Sequence, residues 1–215
     1  MKRMKQILSL IIVSLVFTNF VSAQAPIFKR EKTIKGEESE YYVYKPLPSI
    51  SGVIISNKNN TLGTPQFPER TQDVGGGMYT KEDFIHVYKI IKEIIPESDF
   101  RKLLNEEKIP LHKSRYDQAT IDKISKSSVI MVNALFYPVS GKVAEVFFTI
   151  NGKVFENLSP DYYEEIENRI KKEIVMKSII ESKWQFYILS HFEYHFNDLD
   201  TRTINGERII LSEIE

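Results

Sequence analysis

The sequence predicts an α+β fold in which an antiparallel sheet of about four to six strands carries helices on one face. Apolar residues recur at a helical spacing of about 3.6 in residues 80–95 and 160–178. Apolar runs or alternating patterns, which are typical of strands, occupy residues 129–137, 143–150 and 184–197. A short turn joins the first two of these strands, which favours antiparallel pairing.

Residues 1–23 have the features of a cleaved export signal. The three parts of such a signal, a positive start, an apolar run and a small-residue cleavage pattern, are formed by Lys2, Arg3 and Lys5, by residues 7–17 and by residues 21–23. The apolar run is shorter than the ~20 residues that span a bilayer. We therefore expect a periplasmic or secreted protein that has no membrane anchor after signal cleavage.

Residues 24–79 form the least regular stretch, rich in proline and polar residues. Two short segments within it, 41–44 and 53–55, are aromatic or β-branched and are typical of strands. We interpret the stretch as an irregular N-terminal arm that adds edge strands to an α+β domain spanning residues 80–215.

The first helix is predicted to begin at Thr80, which forms a capping-box pattern with Asp83, and to end before Pro96. A shorter helix is predicted over residues 98–107, and a third over residues 117–126. In the second half, Asn151-Gly152 signals a turn, followed by a very short extended arm at residues 153–155.

Ser159 and Pro160 occupy the N-cap and first position of the longest predicted helix. Its end is expected between residues 176 and 182. In the strand that follows, the even positions from 184 to 196 are aromatic or aliphatic, apart from Ser190, which predicts one buried face.

Charge and cysteine content exclude several classes of function. The chain has 29 basic and 29 acidic residues, and removal of residues 1–23 leaves 26 basic against 29 acidic, a net charge of −3. This balance gives no reason to expect a nucleic-acid partner. The absence of cysteine excludes disulfides, thiol catalysis, thiolate metal sites and a lipid anchor built on cysteine. No cofactor is expected.

The candidate metal-ligating residues are His191, Glu193 and His195. On a strand, residues two apart share a face, and two imidazoles with a carboxylate suit zinc or a similar ion. Such ligands are spaced about 7 Å apart along the strand, however, so a bulge is needed to bring all three to one ion. The simpler interpretation is the polar face of an amphipathic strand.

Other candidate motifs have simpler explanations. Gly75-Gly76-Gly77 lacks the lysine of a phosphate-binding loop and is interpreted as a flexible joint. Asp198-Leu199-Asp200 departs from the calcium-loop pattern and is interpreted as a turn. No serine-nucleophile or zinc-helix motif occurs. Four tyrosines could be exposed and could stack against a ligand, although core or edge-strand packing is the simpler interpretation: Tyr41, Tyr42, Tyr44 and Tyr187.

The order of hairpin, helix and long strand over residues 128–198 resembles the C-terminal domain of the energy-transducing protein TonB. The likeness is carried by the strand at 130–137, by Gly141-Lys142-Val143, by the helix after Ser159-Pro160 and by the strand from 184 to 196. The resemblance implies a non-enzymatic adaptor whose exposed edge strand pairs with a peptide of an envelope protein.

Three functions are therefore open at the level of sequence. The favoured one is a soluble exported interaction module without catalysis, whose partner is an envelope protein or peptide bound by edge-strand pairing. The alternative is a secreted metal-dependent hydrolase that uses His191, Glu193 and His195. The third is a small-molecule or glycan binder that stacks its ligand on exposed tyrosines.

Overall fold

A computed structural model describes residues 28–46, 52–62, 71–73, 79–105, 128–177, 179, 187–196, 201–204 and 206–215. Several predicted features lie outside the described residues. They are the export signal at 1–23, the glycine run at 75–77, the helix at 117–126, the start of the last long strand at Trp184 and the acidic turn at 198–200.

Seven strands form the main sheet. In chain order they are β1 (Phe28–Lys35), β2 (Glu40–Pro46), β3 (Val53–Asn57), β4 (Thr71–Asp73), β5 (Val129–Phe136), β6 (Val143–Asn151) and β7 (Tyr187–His195). Their spatial order is β1-β2-β3-β6-β5-β7-β4. The first six strands in this spatial order pair antiparallel, whereas β4, at the end of the order, runs parallel to its neighbour β7. The predicted α+β fold with an antiparallel sheet is confirmed.

The strands from the N-terminal segment extend the sheet outward from β6. β3 pairs with β6, β2 pairs with β3, and β1 pairs with β2 at the outer edge. A separate hairpin is formed by β8 (Thr201–Ile204) and β9 (Glu207–Ile210). Lys81 ties this hairpin to the helical layer through an ion pair of 2.5 Å with Glu207.

Four helices occur in the described residues, and buried apolar side chains of all four belong to one hydrophobic core that they share with one face of the sheet. They are α1 (Lys81–Ile94), α2 (Glu97–Asn105), α3 (Lys153–Glu156) and α4 (Pro160–Glu173). The predicted capping box is confirmed, because Thr80 and Asp83 exchange hydrogen bonds between side chain and backbone. The predicted N-cap of α4 is confirmed as well, since the Ser159 hydroxyl accepts from the backbone N–H of Asp161.

The predicted end of α4 was wrong. Ile174 is already extended, and Val175 forms an isolated bridge with Lys142 in the turn between β5 and β6. The backbone N–H of Met176 then donates to the carbonyl of Gly141. Ile174 and Met176 are both buried, because residues two apart share one face of an extended segment, which they would not do in a helix.

The predicted extended arm at residues 153–155 was also wrong, because these residues belong to the one-turn helix α3. Gly152 precedes it with φ of 111°, a conformation that favours glycine. The turn places Phe155 in the core, where its ring centroid lies 5.3 Å from that of Phe196. Burial of this ring requires the chain to leave the sheet after β6.

The core lies between the helices and the even-numbered face of β7. Ile188, Phe192, Tyr194 and Phe196 are fully buried there. The Phe84 ring on α1 lies 4.5 Å from Tyr194, and the Tyr194 hydroxyl donates to the Phe84 carbonyl at 2.7 Å. The alternation predicted from the sequence is therefore observed over the described part of this strand.

One buried carboxylate joins α4 to the N-terminal strands. Glu167 is 1% exposed and accepts hydrogen bonds from the Tyr41 hydroxyl at 2.7 Å and from the Asn57 amide at 3.1 Å. Lys171, one turn along α4, donates to its other oxygen at 2.6 Å. Burial of the Tyr41 phenol beside this carboxylate raises the pKa of Tyr41, which keeps the hydroxyl a donor.

A second polar contact joins α1 to α4. Arg169 binds Glu173 on its own helix and Glu93 on α1, at 2.7 Å and 2.6 Å. His86 of α1 lies 2.9 Å from the Glu173 carboxylate. Hydrogen bonds from Arg169 and His86 lower the pKa of Glu173 from 4.5 to about 2.

Replacing Glu167 with alanine should lower the free energy of unfolding by about 3 kcal/mol, because the buried Tyr41 and Asn57 donors lose their acceptor. Glu167→Gln should lose less, since the amide keeps one oxygen acceptor. Urea unfolding of both variants measures the effect. Glu165→Ala, at an exposed position of the same helix, is the matched control and should change stability by less than about 0.5 kcal/mol. Equal losses at residues 165 and 167 would contradict the assignment.

The low pKa of Glu173 predicts a pH-dependent contribution to stability. A carboxylate whose pKa is lower in the folded state stabilises the protein above the unfolded value of 4.5, and this stabilisation is lost as the pH falls toward about 2. The difference in unfolding free energy between the wild type and Glu173→Gln should therefore be largest near neutral pH and should shrink in acid. Denaturant unfolding across this range measures it, with Glu165→Gln as control. A constant difference would refute the prediction.

Candidate functional site

The face of the sheet opposite the helices, here called the open face, carries the predicted metal ligands. His191, Glu193 and His195 occupy alternate positions of β7 and are half-buried. In the neighbouring strand β5 they lie opposite Asn133, Met131 and Val129. The sequence prediction that the three share one face is therefore geometrically correct.

His191 is oriented by Asn133, which is 2% exposed. The Asn133 amide nitrogen donates to the Met131 and Phe147 carbonyls and to the Thr149 hydroxyl, at 3.1 to 3.3 Å. Its amide oxygen faces His191 Nδ1 at 2.5 Å. Because an amide oxygen only accepts, the Nδ1 of His191 is the donor in this contact.

The other two residues contact each other. His195 Nε2 lies 3.0 Å from Glu193 Oε1, an ion pair when the imidazole is protonated. In the part of the chain that the structure describes, no group of three His, Cys, Asp or Glu side chains is arranged to hold a metal ion. The metal site at His191, Glu193 and His195 stays a prediction.

The open face also carries a small apolar cluster of Leu135, Phe147 and Leu189, each at most 5% exposed. Leu62 packs against this cluster from the loop after β3. The carboxylate of Glu145 holds the loop, because it accepts hydrogen bonds from the backbone N–H groups of Thr61 and Leu62 at 2.6 and 2.8 Å. This end of the open face is therefore closed by an anchored loop.

The tyrosines of β2 lie on two faces. Tyr41 is fully buried against Glu167, which confirms the packing interpretation for this residue and excludes it as a ligand-stacking surface. Tyr42 and Tyr44 lie half-buried on the open face with their ring centroids 6.2 Å apart. The Arg30 guanidinium of β1 lies 3.8 Å above the Tyr42 ring, a cation–π contact.

Tyr187, the fourth of these tyrosines, is half-buried at the start of β7. Its ring centroid lies 5.6 Å from that of Tyr137, which is 44% exposed. Among the aromatic residues that the structure describes, Tyr137 alone presents a large exposed surface.

The strand β1 is the outer edge of the sheet, and the sequence analysis did not recognise it. Residues 30–33 and 35 are exposed. The backbone N–H of Gly36 donates to the Ser39 carbonyl, so these two residues form a hydrogen-bonded pair. Along an antiparallel ladder, hydrogen-bonded pairs alternate with non-hydrogen-bonded pairs, whose backbone N–H and C=O groups point away from the partner strand. The backbone N–H and C=O groups of Thr33 and Lys35 therefore point away from β2. Its charged sequence, FKREKTIK, lacks the apolar alternation by which strands are recognised.

An acidic groove of about 450 Å³ lies beside the turn between β1 and β2. Its lining comprises Glu37, Glu38, Asp161, Glu164, Glu165, Asn168, Arg169 and Lys172. Glu164 accepts from the backbone N–H of Glu38 at 3.2 Å. A β-carbon on Gly36 would collide with the same carboxylate, so a larger residue there would displace the Glu164 side chain. The contact fixes the turn against α4.

These features define an α+β protein with an antiparallel sheet, helices on one face and one long exposed edge. A solved structure of the same kind of fold is described as a DUF5043 family protein from Bacteroides uniformis. It shares 20% sequence identity with this chain, the match covers 80% of this chain and 89% of that one, and the TM-score is 0.50. This likeness concerns the fold alone. No protein-family model matches the chain, and no curated protein matches it.

None of the described helices combines the length and the apolar character that crossing a bilayer requires.

The orienting role of Asn133 predicts a local stability effect. Asn133→Ala should lower the free energy of unfolding by about 1–3 kcal/mol, because buried polar groups of β5, β6 and β7 lose their partner. The same substitution at Asn157, an exposed residue that bonds only within its own turn, is the matched control. Thermal or urea unfolding distinguishes the two, and equal effects would contradict the assignment.

Proposed function

We propose that this chain is a non-catalytic interaction module that acts in the cell envelope or outside the cell, and that it binds an extended segment of a partner along β1. The export features of residues 1–23 support the location. The observation that carries the binding proposal is the exposed edge of β1, where no strand among the described residues pairs with the outward backbone groups of Thr33 and Lys35.

Strand addition is the binding mode that such an edge supports, because an extended peptide completes the ladder of the sheet. The TonB-like order of hairpin, helix and strand over residues 128–198 supports the same mode, since edge pairing is what that resemblance implies. The DUF5043 neighbour adds nothing on function.

Backbone pairing alone supplies limited affinity. The outward N–H and C=O groups of Thr33 and Lys35 offer four hydrogen bonds, which contribute about 2–6 kcal/mol in total at about 0.5–1.5 kcal/mol each. Association itself costs about 4 kcal/mol or more. The side chains beside the edge must therefore contribute to the selection of a partner.

Cross-linking tests the edge directly, because the chain contains no cysteine and a single introduced thiol is unique. Lys35→Cys places a photoactivatable label on the edge. The matched control is Val139→Cys, since Val139 is 82% exposed in the turn between β5 and β6. In envelope extract we expect one partner to cross-link from residue 35 and not from residue 139, and mass spectrometry should place the link in one short segment of that partner.

Equal cross-linking from the two positions would mean non-specific adsorption and would refute the proposal. So would the absence of any cross-link from residue 35 together with measured turnover of a substrate by the purified chain.

A further inference from the structure

We propose that the segment recognised by β1 is acidic, an inference that rests on the proposed edge pairing and names the chemistry of its partner. β1 contains four basic residues, Lys29, Arg30, Lys32 and Lys35, against the single acid Glu31, a net charge of +3 in eight residues. The whole chain is neutral by the same count. The basic charge is therefore a local property of this edge.

The basic residues lie on both faces of the strand. Arg30 and Lys35 lie opposite Tyr44 and Glu40 and belong to the open face. Lys32 lies opposite the buried Val43 and belongs to the helix face. A strand added to β1 therefore meets cationic side chains above and below the sheet, whichever way its own residues alternate.

The charges of β1 are only partly offset within the sheet, because the one acid opposite them, Glu40 across from Lys35, already pairs with Lys58 at 2.9 Å. Glu31 reaches Lys45 of β2 only at 3.8 Å, between two exposed side chains, and such pairs contribute little. Lys32 and Lys35 are exposed and form no ion pair with any residue that the structure describes. Arg30 is held in place by the Tyr42 ring and by a hydrogen bond of 2.7 Å to Thr33.

A second copy of the chain is a poor occupant of this edge. Antiparallel pairing of two β1 strands would place +3 against +3, and like charges across a ladder are destabilising. The register shift between Arg30 and Lys32 also interrupts a regular ladder. Lysines and bulges protect edges from self-association, whereas an acidic segment turns the same lysines into favourable cross-strand pairs.

Three fluorescent octapeptides test the inference, in which threonine alternates with glutamate, glutamine or lysine. The glutamate peptide should bind at least about tenfold more tightly than the glutamine peptide in fluorescence polarisation, because several cross-strand charge pairs form. The lysine peptide should not bind. Raising the salt from about 0.05 to about 0.5 M should weaken only the glutamate peptide, since these charges are exposed.

A charge-reversed variant provides the second arm. The double variant Lys32→Glu, Lys35→Glu changes the net charge of β1 from +3 to −1 and should exchange the preference from the glutamate to the lysine peptide. The control carries the same change at exposed positions elsewhere, Lys89→Glu with Lys177→Glu, and should keep the wild-type preference. Circular dichroism and thermal unfolding confirm that both variants fold.

The outcomes separate the two proposals. Equal affinity for the glutamate and glutamine peptides, with residue 35 still cross-linking to a partner, would overturn the acidic partner and leave edge pairing intact. Absence of binding by all three peptides together with absence of cross-links would overturn both. Loss of the glutamate preference in the control variant Lys89→Glu, Lys177→Glu would mean that the preference depends on the net charge of the whole protein. That result would overturn the assignment to β1.

Discussion

Packing of α1 against the ring-bearing face of β7 is the interaction on which the rest of the molecule depends. Tyr79, Phe84 and Tyr88 contact Phe192, Tyr194 and Phe196 in a continuous series of rings, with centroids 4.5 to 6.3 Å apart. Because successive side chains of a strand point to opposite faces, burial of the even positions of β7 places His191, Glu193 and His195 on the other face. The polar open face is thus a consequence of the aromatic core.

The N-terminal strands are held by polar contacts as well as by the ladder. Glu167 binds Tyr41 and Asn57 of β2 and β3, and Glu164 binds the turn that follows β1. Both carboxylates belong to α4, whose other side is joined to α1 through Arg169. One helix therefore fixes the outer strands and the central core in the same orientation.

Local patterns could be predicted from the sequence, whereas contacts between distant segments could not. Thr80 and Asp83 identify the start of α1 because the capping box lies within four residues. Glu167 resembles any solvated acid of an amphipathic helix, because its partner Tyr41 is 126 residues away. Ile174 continues the apolar stripe of α4 at helical spacing, and only the contacts of Val175 and Met176 with the turn between β5 and β6 show that the chain is extended there.

The same distinction explains why β1 was missed although it is central to the proposed function. A strand at the edge of a sheet buries little surface, so its side chains can be charged without loss of stability. A charged strand lacks the apolar alternation by which strands are recognised in a sequence. The edge is nevertheless held, because Glu164 fixes the turn at its end and Arg30 packs on Tyr42. Because β1 is already ordered, the conformational entropy lost on pairing would come mainly from the partner's own segment. The held backbone groups and the net positive charge of β1 are the two features on which the proposed pairing with an extended acidic chain depends.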